Sequence, residues 1–300
     1  MKDKMMLYGV EMSARYTRKQ KELFLAFITE CCKRIGKEVS FESKHSAFRH
    51  IASIEMGNVD KANIIVCGAY DTPEKAYIEM KNYPFNMEAN IKEQQASLIV
   101  KVVAAIVLSL VMFLIVRGFG NYQLYLKILA GIAIAVILYV IYKMTTGIAN
   151  TVNFSRNSAA VATIMKLAEE IDNEKVAFVL LDQTVNSYEG LDLLKEKVGN
   201  KKKIIYLDNL SYGNRCVVAH RGSSDVTMLL KAGMEEKIYR EPSNALRFFD
   251  DIIQISCGDV ENKQFVVKHV GSDKDHDIDM KRLEMIYQTL KSYINKSISN

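Results

Sequence analysis

Two runs of 21 residues, 96–116 and 122–142, are apolar apart from one lysine each, Lys101 and Lys127. As helices, at about 1.5 Å per residue, each reaches about 31 Å, which matches the hydrocarbon core of a bilayer. The strictly uncharged parts, 102–116 and 128–142, are shorter, so each lysine has to snorkel toward a headgroup layer. A buried core helix of a soluble protein normally keeps a polar face, and neither run has one. Gly118, Gly120 and Asn121 supply a turn between them. The two helices are therefore expected to form a transmembrane hairpin, returning the chain to the side it left. Lys92, Lys101, Lys143 and Arg156 flank its outer ends, against Arg117 and Lys127 near the turn, a bias that favours an inside location for both ends. The first 20 residues hold no apolar run of secretory length. The expectation is a multi-pass protein of the cell membrane, with its soluble domain and both termini cytoplasmic.

About 250 residues lie outside this block, enough to bury a sizeable core. The net charge of +5 is mild, and only Lys201, Lys202 and Lys203 cluster. No basic stripe interleaved with aromatics accompanies them, so nucleic acid is not an expected partner, whereas an anionic membrane surface is. The five cysteines, Cys31, Cys32, Cys67, Cys216 and Cys257, form no C-x-x-C pair and suit a reducing compartment.

Outside the hairpin, residues 14–37 have helical spacing, with Leu23, Phe24, Phe27, Ile28, Cys31 and Ile35 on one face. Strand-like runs follow at 38–42 and 50–56, and residues 63–69 form a short continuous apolar run of the kind a buried strand needs. Beyond the hairpin, 158–171 reads as a helix, 176–181, 203–207 and 252–256 as buried strands, and 280–294 as a closing helix. Strands alternating with helices predict an α/β three-layer sandwich with a mixed central sheet. The hairpin interrupts it, leaving 1–95 and 143–300 as two parts of one domain.

Six segments, in order, carry a family likeness. NIIVCGAYDT is similar to a strand ending in GAHYDT, and NFSRNSAAVATIMKLAEEI to a helix start of the type GANDNASGVAALLELAR. KVAFVLLDQTVNSYEGLDLL is similar to a strand running into DGEExGLLGS, and KKIIYLDNLSYG to an NLDMVG strand. PSNALRFF corresponds to SDHxPF, and KHVGSDKDHDIDMKRLEMI to HTPEDTIDKIDLEAL. Together they resemble the zinc-dependent aminopeptidases, a family that includes glutamate carboxypeptidase and glutaminyl cyclase.

The resemblance implies a two-zinc site built from His, a bridging Asp, Glu, Asp and His, with a second Glu as general base. The first histidine position falls on Ala69, beside Asp71, which matches a residue that supports that ligand from behind. The bridging aspartate position falls on Arg156, a permanent cation where two dications need an anion. The Glu-Glu pair falls on Thr184 and Val185, or on Ser187 and Tyr188 if the alignment slides; Glu189 nearby is a lone carboxylate. The fourth ligand position keeps Asp208 and the fifth His269, while Asn244 and Ala245 replace an Asp-His pair. No metal or other cofactor is expected, with Asp208, His269 and Asp71 as vestiges. Arg156 is expected to pair with Asp71 or Asp208, and His269 to bond within a loop. His220, Arg221 and Asp225 read as a solvated loop, and Asp273, Asp275, Asp277 and Asp279 as an acidic turn leading a helix rather than a calcium loop.

The reading is a membrane-anchored pseudopeptidase, acting in binding, scaffolding or assembly with a protein or peptide partner at the cytoplasmic face. Its alternative is a membrane-bound metallopeptidase or related acyl transferase, with zinc on a rewired site using Asp208 and His269. A third class is a sensor whose pocket reports through the hairpin. The insertion lies between Ala69 and Arg156, and on the family pattern it turns the old catalytic face toward the bilayer.

Overall fold

Strand β3 (Ile64–Ala69) and the strands that flank it on both sides, β5 (Val176–Leu181) and β6 (Lys203–Leu207), form the parallel centre of a mixed sheet. The computed structural model describes residues 1–45, 50–185, 187–210, 212–222 and 224–299. Successive residues of the centre are buried on alternate faces of the sheet. Ile64 and Val66 of β3 join one apolar cluster with Phe178, Leu180, Ile205 and Leu207, while Ile65 and Cys67 join the other with Val179, Ile204 and Tyr206. Side chains of a strand point alternately to its two faces, so a continuous apolar run requires cover on both.

That cover comes from helices. On one face lie α2 (Arg18–Arg34), α5 (Ala159–Glu170) and α8 (Met280–Ser299), through Phe24, Ile28, Ile164, Leu167, Ile286 and Leu290. On the other lies α6 (Glu189–Val198), through Leu191 and Leu194, with Leu246, Phe249 and Phe85. The result is the three-layer sandwich. Gly68 permits the close approach of α5, since a Cβ there would lie 2.9 Å from the Leu207 carbonyl oxygen and 3.0 Å from Ile164.

Around this centre run β1 (Val39–His45), β2 (His50–Met56), β4 (Met80–Asn82), β7 (Arg215–His220), β8 (Glu235–Ile238), β9 (Ile252–Glu261) and β10 (Gln264–Val270). The main order is β1-β2-β5-β3-β6-β9-β10-β4, with β7 and β8 branching from β9. Four of these strands, β4, β7, β8 and β10, were not legible as strands. β4 is three residues long and all of β8 is exposed, so neither carries an apolar pattern. His220, expected in a solvated loop, instead ends β7, buried, with Nε2 3.0 Å from Glu236.

Helix ends follow ordinary capping. Thr17 and Gln20 form a reciprocal capping box at α2, and Asp279 accepts from the backbone N–H of Lys281 and Arg282 at the start of α8. The expected first helix is shorter than residues 14–37, because Arg15 is fully buried below it. The Arg15 guanidinium donates to the carbonyls of Tyr70, Tyr8 and Met12 and to Ser158 Oγ, and burial pulls its pKa down to about 9.

The two apolar runs lie in α3 (Met87–Gly118) and α4 (Leu124–Thr146), joined by a 3₁₀ turn, Phe119–Asn121. Both helices are long and apolar enough to cross a membrane. None of the most apolar window of α3 is buried, and only 11% of that of α4, so they are not core helices. Both outrun the apolar stretches, and α3 begins at Met87, within the soluble segment.

Candidate functional site

The carboxyl ends of β3, β5 and β6 open on one edge of the sheet, the usual place for a site in a parallel sheet. Asp71 follows β3, Thr184 and Val185 follow β5, and Asp208 follows β6. Arg156 reaches the same place from the segment Phe154–Ser158 that leads into α5. Ala69, Asp71, Arg156, Thr184, Val185 and Asp208 thus stand at one edge of the sheet. The fourth wall is unexpected: it is the base of α3, together with Asn82 of β4.

The cleft has two chambers. A small inner one of 40 Å³ is lined by Arg156, Asp208, Thr184, Tyr188, Tyr206 and Asn82. An outer one of 280 Å³ shares Arg156, Asn82 and Val185 and runs along α3 past Asn90, Gln94, Leu98 and Lys101. The cleft thus lies on the side from which the hairpin leaves the domain. Ser187 and Tyr188, the alternative positions of the Glu-Glu pair, also line the inner chamber.

The salt bridge expected of Arg156 is absent. Its Nη2 donates to the Val185 carbonyl at 2.8 Å, and Nε and Nη1 have no partner among the described residues although Arg156 is only 6% exposed. Asp71 is occupied elsewhere: its carboxylate accepts from Thr184 N at 3.2 Å, Thr184 Oγ1 at 3.1 Å and Val185 N at 3.4 Å. With Ala69 in place of an imidazole, Asp71 holds the loop after β5 instead of a ligand. Burial pushes the Asp71 carboxyl above its ordinary pKa, opposed by Lys21. Burial likewise raises Asp208, opposed by the Arg156 charge. Tyr188 is pushed up to about 12, by burial and then by Asp208.

His269 does not join this cleft. It lies in β10 rather than in a loop, with φ of +61°, and its Nδ1 is 3.3 Å from Glu79. Asn244 caps the short turn Ala245–Arg247, accepting from Leu246 N, and Ala245 is buried in the core. Glu189 opens α6. Among the described residues, no three His, Cys, Asp or Glu side chains stand together as candidates to hold a metal ion. The residues at the positions that the resemblance gives to the ligands do not suit a zinc pair: Arg156, a cation, stands where it puts the bridging aspartate, and His269 lies beside Glu79, away from Asp208 and the cleft.

Two residues escaped the sequence reading. Asn82 is buried and its Nδ2 has no partner among the described residues. Asp275, expected in an acidic turn leading a helix, is 3% exposed and accepts from the backbone N–H and hydroxyl of Ser155. Burial raises its pKa to about 8 against these bonds. Neither position has a local signal, because both are placed by pairing with distant segments.

No protein-family model matches the sequence, and no curated protein matches it significantly. Solved structures do match in fold. A glutaminyl cyclase from Porphyromonas gingivalis aligns with a TM-score of 0.60 at 10% identity, covering 98% of this chain and 96% of that one. A glutaminyl cyclase from Macrostomum lignano aligns with a TM-score of 0.55 at 11% identity, covering 100% and 90%. The LapA aminopeptidase of Legionella pneumophila gives 0.55 at 9% identity, covering 98% and 70%. The fold is that of glutaminyl cyclases and aminopeptidases.

Proposed function

We propose that this chain is a membrane-anchored, non-catalytic binding protein built on the aminopeptidase and glutaminyl cyclase scaffold. The observation that carries the reading is Arg156. It stands where the family resemblance puts the carboxylate that joins two metal ions, and it offers donors where that chemistry needs acceptors. A guanidinium does not ligate a cation and is not deprotonated in ordinary conditions. The position that supports the first histidine ligand in the family serves a backbone loop through Asp71. The cleft keeps its place at the strand ends and gains a wall from the hairpin, which suits capture of a ligand at the membrane border.

The test is metal content and turnover of the full chain purified in detergent. After incubation with excess zinc and washing, the protein should retain substoichiometric zinc. It should neither release an N-terminal residue from a peptide nor cyclise an N-terminal glutamine. Stoichiometric zinc, with turnover abolished by chelation, overturns the reading in favour of a metallopeptidase or acyl transferase with a rewired site.

A further inference from the structure

We propose that the Arg156 cleft receives the phosphate of a phospholipid headgroup, reaching it from the bilayer along α3; this names the ligand of the binding reading above and rests on it. Three observations converge on it: unmatched donors, mixed charge on the walls, and continuity with the apolar hairpin.

The donors come first. Arg156 is nearly enclosed, yet among the described residues two of its three nitrogens find no acceptor and no carboxylate forms an ion pair with it. Leaving buried guanidinium donors unmatched is costly, and the matching chemistry is an oxyanion with several acceptor oxygens. Asn82, from a different element, is 6% exposed, lines the same two chambers and carries a second group, Nδ2, that is unmatched among the described residues. Two buried side chains that line the cleft thus carry N–H groups with no partner among the described residues.

The walls carry both signs. Asp208 lies in the inner chamber, and Glu74 and Glu93 line the outer one beside Lys81 and Lys101. Lys101 is paired with Glu74, and Lys81 with Glu261 at 2.9 Å. Among the described residues neither Asp208 nor Glu93 forms an ion pair, Glu93 accepting from the Lys81 backbone N–H at 3.4 Å, so each has carboxylate charge to offer an ammonium. A polyanion would meet these carboxylates unfavourably, whereas a phosphate with an ammonium close by matches Arg156 and a carboxylate together. The headgroup of phosphatidylethanolamine has that composition.

Continuity selects a lipid over a soluble phosphate. Asn90, Gln94, Ser97, Leu98 and Lys101 line the outer chamber and lie on one side of α3 at helical spacing. The uncharged part of the apolar run starts at the next residue, Val102. Leu98 is 59% exposed, and Lys101 is paired with Glu74. The chamber opens where the hydrocarbon layer ends, so a bound headgroup leaves its acyl chains along the hairpin.

The experiment is native mass spectrometry of the full chain in detergent, incubated separately with dioleoyl phosphatidylethanolamine, dioleoyl phosphatidylglycerol and free phosphoethanolamine. The expected result is a one-to-one phosphatidylethanolamine adduct, weakened about tenfold to a hundredfold in Arg156→Met, in line with losing hydrogen bonds to a charged group. Asn82→Leu should weaken it too, and Arg156→Lys should restore part of it. The same adduct in wild type and Arg156→Met, with both variants melting as wild type, overturns the assignment of the phosphate to this cleft. Equal binding of free phosphoethanolamine overturns the lipid source, and preference for phosphatidylglycerol overturns the ammonium match. Zinc and turnover, measured on the same preparation, separate the two levels. Turnover overturns the non-catalytic reading, whereas no turnover and no adduct overturn the lipid assignment alone.

Discussion

Asp71 and Thr184 are joined twice, through the backbone N–H at 3.2 Å and the hydroxyl at 3.1 Å, across a distance of 113 residues in the chain. This pair ties the end of β3 to the loop after β5, which lines the cleft. The buried carboxylate therefore contributes to shaping the cleft. Thr184→Val keeps the shape and deletes one donor. It is expected to destabilise the fold by about 1–3 kcal/mol, the range for a buried hydrogen bond to a charged group, with Thr184→Ser close to wild type. Thermal melts of the detergent-purified protein check this, and equal melting of all three would mean that the hydroxyl contributes nothing.

Asp275 sets a pH dependence. Its folded pKa of about 8 lies above that of an exposed aspartate, about 3.9. Between those values the folded chain holds a proton that the unfolded chain has released, so stability falls as pH rises. The contribution is fully present below about pH 4 and is lost on the way to about pH 8. Asp275→Asn keeps an acceptor for Ser155 and removes the titration. Melting temperatures between pH 5 and 9 should fall less steeply with pH in the variant than in wild type; parallel slopes would contradict the assignment.

Arg156 is expected to cost the unliganded fold rather than support it. Arg156→Met removes two unmatched donors, and Asp208, already raised by burial, is then free to neutralise. In lipid-free detergent the variant should melt at or above the wild-type temperature. A loss of more than about 1 kcal/mol would show that the bond to Val185 or the attraction to Asp208 holds the domain together.

The hairpin makes a topological prediction. In a background with the half-buried Cys31 replaced by serine, a cysteine at Gly120 and one at Lys201 should be labelled from opposite sides of sealed vesicles. Gly120 sits in the turn between the two helices, and Lys201 in the soluble domain before β6. Labelling of both from one side would mean that α3 and α4 do not cross.

The layer structure was legible because burial on both faces leaves a local trace. Residues 64–69, 176–181 and 204–207 are continuous apolar runs, and each lies in a central strand. Strand β8 leaves no such trace, since all four of its residues are exposed, whereas β7 and β10 carry buried apolar runs of only four and three residues, 216–219 and 265–267. The resemblance assigns Ala69, Arg156, Thr184 and Val185 to ligand positions through the motifs that surround them. The partner of Arg156 could not: a carboxylate was expected and a carbonyl 29 residues away was found. His269 stood in the same motif order as Asp208, yet it lies in β10, beside Glu79.

What the sequence determined by itself was the composition of each element: two runs long and apolar enough to span a bilayer, three strands buried on both faces, and an arginine where the family pattern has an aspartate. These are properties of consecutive residues, and they need no knowledge of what lies opposite. Only the tertiary structure decided that the base of α3 closes the strand-end cleft, and that Arg156 enters it with donors unmatched. Both depend on convergence of segments far apart in the chain, where the geometry of backbone packing, and not residue type, selects the neighbours.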